Sequence, residues 1–257
     1  MLNKKIDKKK LYFKLLKEEK KEFKGWDFSY LSKTGRVQDE PLDWSYGSIV
    51  LKWIEDTKNI LDMGTGGGEV LERLTPLPEN TYATEGYKKN FKIAKKRLSK
   101  LGVKVKYIES DENLPFKDKF FDLIINRHES FDFNEIRRII KEKGIFITQQ
   151  VGFNNCLELN RLLEYNKLEN DYWNLEYTVK NLEEKDFNII YKNESFPKIK
   201  FYDIGAIVYF LKVIPWQIPD FTVEKYFENL FKLAKIIEKQ GSLTVSQHRF
   251  IVVAGKE

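Results

Sequence analysis

Asn59 to Leu74 reads NILDMGTGGGEVLERL: an apolar run, an acid at its carboxyl end, glycines at 64, 66 and 68, and then a helix-forming stretch. Alternating glycines let a backbone turn sharply and approach a ligand, and in an open α/β sheet that place is the switch point beyond the strand ends. The spacing discriminates between ligands. A dinucleotide fingerprint is G-x-G-x-x-G, and counted from Gly64 its last position is Glu69; a phosphate-binding loop needs a Lys that does not follow here.

Outward from this loop the periods alternate. Ser48 to Glu55 and Glu69 to Leu74 have helical spacing, Thr81 to Thr84 is a strand, Lys88 to Leu101 is a basic helix closed by Gly102, and Val103 to Ile108 is a strand. Phe121 to Asn126 is a strand, Phe133 to Lys141 a helix ended by Gly144, and Ile145 to Val151 another strand. Strands alternating with helices at this spacing predict a parallel α/β sheet, because parallel neighbours need crossover connections.

Beyond Asn154 the order is less regular. Asn155 to Tyr165, Leu175 to Glu184 and Val223 to Lys239 read as helices, Phe187 to Tyr191, Leu243 to Ser246 and Phe250 to Ala254 as strands, and Phe201 to Leu211 as a very apolar helix or strand. Upstream, residues 7–24 form an amphipathic helix expected to lie on the body, and Gly25 to Gly47 a loop or short-helix region carrying Trp44 and Tyr46. The expected division is an N-terminal extension over 1–47 and a main domain over 48–257, with a helical, aromatic insertion at about 201–240.

Charge and composition exclude several classes. The chain has 257 residues and a net charge of +6, but the first 24 residues hold ten lysines against four acids, so the remaining body is formally neutral. A globally basic protein is excluded. With 42% apolar and 14% aromatic residues the chain is not disordered. One cysteine, Cys156, and two histidines, His128 and His248, give no internal disulfide and no metal-ligand cluster, and fit a reducing cytoplasm. The apolar stretch from Ile204 to Leu211 is too short to span a bilayer, and the Lys-dense N-terminus does not read as a secretory signal.

The glycine segment resembles the class I S-adenosylmethionine-dependent methyltransferases, whose first motif is an acid followed by x-G-x-G-x-G, here Asp62, Met63, Gly64, Thr65, Gly66, Gly67, Gly68. The cofactor has an ammonium group and a ribose with two free hydroxyls, for which carboxylates are suitable partners. The resemblance implies a Rossmann-like, seven-stranded, mostly parallel sheet with helices on both faces and an antiparallel last strand. It also implies cofactor contacts at Asp62, Gly64, Thr65, Gly66 and Gly68, at Glu85 with Gly86 after the next strand, and at Ser110, Asp111 and Glu112 after the third. Either Asp111 or Glu112 would reach the adenine, and Asn126 stands where the backbone faces the methionine moiety.

The acceptor is less legible. No Asn/Asp/Ser-Pro-Pro-aromatic turn follows Asn126, no Pro precedes Cys156, and no carboxylate cluster for a divalent metal is identified, which leaves a metal-independent transferase. His128 lies just past the fourth strand, where a near-neutral pKa suits a general base, with Glu129 as its companion; orienting a loop is the structural alternative. Gln149 and Gln150 place amides at a strand end that burial would keep apolar, so one amide either faces the substrate pocket or caps the next loop. Tyr209, Trp216 and Phe221 wall an acceptor pocket or else pack a core or dimer contact, and Trp44 and Tyr46 close the cofactor side. The leading expectation is a small-molecule acceptor. The alternatives are an RNA methyltransferase using the Lys-rich N-terminus, and a non-catalytic S-adenosylmethionine-binding protein.

Overall fold

The computed structural model describes residues 6–23, 27–166 and 172–257. Lys4, Lys5 and Lys24 of the basic segment, and Gly25, lie outside the described residues. The chain forms two compact units, each assembled from separate segments. One comprises Leu42–Phe153, Tyr172–Ser195 and Arg249–Glu257, the other Met1–Pro41, Asn154–Asp171 and Phe196–His248.

In chain order the elements begin with helices α1 (Lys8–Glu19) and α2 (Ser29–Ser32), strand β1 (Val37–Asp39), α3 (Tyr46–Ile54), β2 (Asn59–Met63), α4 (Glu69–Arg73) and β3 (Asn80–Glu85). They continue through α5 (Lys88–Leu98), β4 (Lys104–Tyr107), β5 (Phe121–Arg127), α6 (Phe133–Ile139), β6 (Ile140–Val151), α7 (Leu157–Leu162), α8 (Leu175–Glu183) and β7 (Phe187–Ser195). The last are β8 (Lys198–Phe201), α9 (Ile204–Val213), α10 (Val223–Gln240), β9 (Leu243–Ser246) and β10 (Arg249–Lys256).

The first unit is built on a seven-stranded sheet of order β4-β3-β2-β5-β6-β10-β7. β4 through β6 pair in parallel, and β10 runs antiparallel to both β6 and β7. The strands alternate their side chains between two apolar layers. On one face Ile60, Ala83, Ile125, Ile147 and Ile251 pack against Val50 of α3, Leu71 of α4 and Leu98 of α5. On the other, Leu61, Met63, Ile124, Phe146 and Phe250 pack against Ile136 of α6 and Val179 of α8. One boundary differs from expectation. Gly144 does not end a helix; α6 stops at Ile139 and β6 starts at once, with Lys143 in the left-handed region and a register shift opposite Phe121–Leu123. A Cβ at Gly144 would stand 2.7 Å from Ile140 Cγ1, so the glycine serves a kink within the strand.

The second unit gathers the antiparallel sheet β1-β8-β9 with α1, α7, α9 and α10 around its own core. The apolar stretch after Pro197 resolves into a strand and a helix because Asp203 caps the helix, its Oδ1 accepting from Ala206 N at 3.0 Å. Arg36 ties three segments together, reaching Asp203 at 2.5 Å and Glu18 of α1 at 3.2 Å. Leu11 and Leu15 of α1 are buried in that core, so Lys8–Glu19 is a packed helix. This division departs from the expected one: Leu42 to Gly47 belong with the seven-stranded sheet, and 201–240 joins the N-terminal helix in the other unit. Among the described residues no helix is long and apolar enough to cross a membrane.

Candidate functional site

The carboxyl ends of β2 and β3 bring the first motif together. Thr65 N donates to Thr84 O at 2.9 Å, which fixes the glycine loop against the end of β3. Gly64, Gly66 and Gly68 all have positive φ, at 61°, 62° and 83°, so each occupies a conformation other residues adopt only with strain. Space is equally restricted: a Cβ on Gly64 would overlap the Glu129 side chain, and one on Gly68 would press on Leu98.

Four carboxylates face this loop with little positive charge to balance them. Asp62 is 6% exposed, and burial pushes its pKa up to about 7, reinforced by the charge of Glu85 and opposed by Arg127. Glu85 is 3% exposed and also raised, burial outweighing the backbone amides of Tyr87, Gly66 and Gly86. Its Oε1 accepts from Tyr87 N at 2.7 Å, whereas Oε2 has no partner in the protein. Burial and the Asp132 charge raise Asp111, against the Ser130 hydroxyl that donates to it at 2.5 Å. Burial also pushes Glu129 up to about 7, helped by Asp111 and Glu85. Ser110 and Glu112 are exposed, and Ser110 Oγ accepts from Glu112 N at 3.1 Å, so Asp111 is the inward member of the three.

Two polar clusters close the ends of β5 and β6. On one sheet face Asn126, fully buried, accepts from Thr148 Oγ1 at 3.0 Å and from Gln150 Nε2 at 2.5 Å, while its own Nδ2 has no protein partner. On the other, Trp44 Nε1 donates to Gln149 Oε1 at 2.8 Å, and Gln149 Nε2 lies 3.1 Å from His128 Nε2. An indole can only donate, so it orients the amide, and the amide nitrogen can only donate to the histidine. His128 therefore carries its proton on Nδ1. Its surface is exposed, yet the protein mass around the ring and then the charges of Arg127 and Arg249 hold its pKa well below the ordinary value. Its Nε2 lone pair faces the Gln149 amide, which bears on the general-base role expected from its position. Backbone geometry agrees with a fixed ring: His128 has φ 61° and its amide donates to Gln149 O at 2.8 Å.

Tyr46, at the start of α3, is buried with an unpartnered hydroxyl, and burial and the Asp62 charge raise its pKa well above the ordinary value. The Arg127 guanidinium lies 5.9 Å from its ring centroid. Tyr209 and Trp216 belong to the other unit. Tyr209 is 2% exposed among Tyr30 and Phe23, bordering a recess of about 270 Å³ with Glu22, Asp27 and Ser29, and the α9 aromatics are core residues of that unit. Trp216 is 56% exposed. Sequence reasoning missed Arg127, Tyr87 and Ser130. Tyr87 was findable as the first amides after a strand-ending acid; Ser130, 19 positions from Asp111, carried no local signal.

Residues 61–148 match the protein family described as Methyltransferase domain. An uncharacterised protein of Methanocaldococcus jannaschii is 30% identical over 131 residues, covering 48% of this chain and 46% of the relative. The uncharacterised methyltransferase YcgJ of Bacillus subtilis is 26% identical over 96 residues, covering 37% and 38%. The matches thus span less than half the length of these curated relatives. Among solved structures, a Bacillus halodurans chain described as a candidate methyltransferase superposes with a TM-score of 0.59 at 17% identity, over 83% of this chain and 99% of that one. Residues 61–148 thus match a methyltransferase domain, and the fold is shared with that solved structure. The site fits S-adenosylmethionine: burial raises the pKa of its carboxylates, Glu85 keeps a buried acceptor oxygen free, and the glycine loop leaves no room for a Cβ.

Proposed function

We propose that the protein transfers a methyl group from S-adenosylmethionine to a small-molecule acceptor, without a metal step. The observation that carries this reading is Glu85, a buried carboxylate at the end of β3 with one oxygen anchored on Tyr87 N and the other unpartnered. Two ribose hydroxyls are the donors such a group lacks. When bound, the cofactor supplies an electrophilic methyl on a sulfonium. Asp62, Asp111 and Glu129 supply the complementary negative field, and Gly64 and Gly66 permit close backbone approach. His128 offers Nδ1–H to orient an acceptor rather than to remove its proton. Trp44, Tyr46 and Gln149, an aromatic and amide set, support a compact acceptor.

Isothermal titration with S-adenosylmethionine and S-adenosylhomocysteine tests the reading. Micromolar binding to either is expected, and absence of heat from both at millimolar ligand overturns it. Incubating the protein with methyl-labelled cofactor and fractions of small metabolites or of RNA then separates the acceptor classes, and label appearing in the RNA fraction alone would replace the small-molecule assignment.

A further inference from the structure

The neutral sum of the body hides a charge asymmetry. From Tyr87 to Tyr107 the chain holds eight lysines and one arginine and no acid. Folding wraps these around one edge of the seven-stranded sheet, since β4 is its outermost strand and α5 packs against β4 and β3. The helix buries Asn90, Ala94 and Leu98. Lys88, Lys92 and Lys95 consequently form one exposed ridge, and Lys89, Lys96 and Lys100 the next. Lys104 and Lys106 carry the charge onto the opposite face of the edge strand, each 4.9 Å from a ring centroid, Tyr82 and Phe116. Of the nine cations only Arg97 is ion-paired among the described residues, with Glu69 and Glu72.

Flat rings lie among these cations. Tyr87 is 53% exposed, Phe91 and Tyr107 are half-buried with centroids 5.8 Å apart, Lys88 lies over Tyr107 and Lys95 over Phe91. Unpaired lysines track phosphates, and exposed aromatic faces stack on bases of any sequence. We propose that the α5–β4 edge binds single-stranded nucleic acid, with the lysine ridges on the backbone and Tyr87, Phe91 and Tyr107 as the stacking platform. A membrane-binding face would project large apolar side chains beyond its cations, whereas here Ile93 and Leu101 are only 41% and 39% exposed between the ridges. The inference stands apart from methyl transfer, and it assigns the contact to α5 and β4 rather than to α1, which is packed on its own core with Lys8 paired to Glu228 at 2.6 Å.

Fluorescence anisotropy with labelled 20-mer oligo(U) and oligo(dT) on the full chain tests this. Binding is expected to weaken about tenfold or more between 50 and 200 mM salt. The variant K89E/K92E/K96E should lose at least about tenfold in affinity while its circular dichroism melt matches the parent. The N-terminal variant K9Q/K10Q/K17Q/K20Q should stay within about twofold. An unchanged K89E/K92E/K96E affinity, a loss confined to the N-terminal variant, or binding of anionic phosphatidylserine vesicles without binding of either oligonucleotide overturns the proposal. Because none of these readings involves S-adenosylmethionine, a failed cofactor titration leaves it standing.

Discussion

The two ends of the seven-stranded sheet carry the same residue type in opposite electrostatic states. Asp122, at the start of β5, accepts from Asn59 N at 2.8 Å and from Lys141 Nζ at 2.6 Å, and these partners hold its pKa below the ordinary value despite its burial. Glu135 is likewise lowered, chiefly by Arg138. At the other end Asp62, Glu85, Asp111 and Glu129 are all raised, because burial there is met by few amides and by each other's charge. A carboxylate that serves the fold brings its own cation. One that waits for a cationic ligand does not, and it is the unbalanced set that marks the site.

The comparison breaks most readily at Glu85. Glu85→Ala should weaken S-adenosylhomocysteine binding by about 10- to 100-fold, the value of charge-assisted hydrogen bonds of roughly 1.5–3 kcal/mol, and calorimetry showing parental affinity would remove it from the site. The pH dependence comes next. Asp62 and Glu129 are held near pH 7, above their ordinary values, so the stability they contribute is present at low pH and lost as pH rises through 7. The ligand-free protein should therefore melt a few degrees lower at pH 8 than at pH 6, while S-adenosylmethionine, which favours the ionised carboxylates, should bind about tenfold tighter at pH 8. Parallel changes in stability and affinity would contradict the assignment.

Asp122 supplies the opposite sign. Its lowered pKa means a contribution present above the ordinary carboxylate range and lost as pH falls through it, so Asp122→Asn should cost about 1–2 kcal/mol in denaturant melts at pH 7 and leave cofactor affinity unchanged. The smallest effect is expected at Trp44. Trp44→Phe removes the donor that orients Gln149, so nitrogen NMR of His128 should show the Nδ1–H tautomer giving way to a mixture, with cofactor affinity within about twofold; an unaltered tautomer would mean the ring is held by other contacts.

Much of the site was legible because its members lie at strand ends, where alternating periods and glycine spacing locate them. Asp62, Glu85 and the triplet around Asp111 follow from three successive strands, and the left-handed φ of Gly64, Gly66 and Gly68 follows from residues that alone adopt it without strain. The relay from Trp44 to His128 was not legible, since it spans 105 positions to Gln149 and depends on two side chains meeting across the ends of different elements. Gly144 misled for a related reason: a glycine after a helical period signals a cap, but here the strand register demanded a kink.

Local period, turn chemistry and charge along the chain determined the parallel sheet, the glycine loop and the acids beside it, because each depends on neighbours within a few residues. Tertiary structure decided the rest. It assembled a second unit from three distant segments around Tyr209 and the buried face of α1, since apolar side chains seek a common core regardless of separation. It also decided which carboxylates are paired and which are not, and turned the lysines of α5 and β4 into one exposed edge, because solvation and Coulomb energy depend on distance in space rather than on order in the chain.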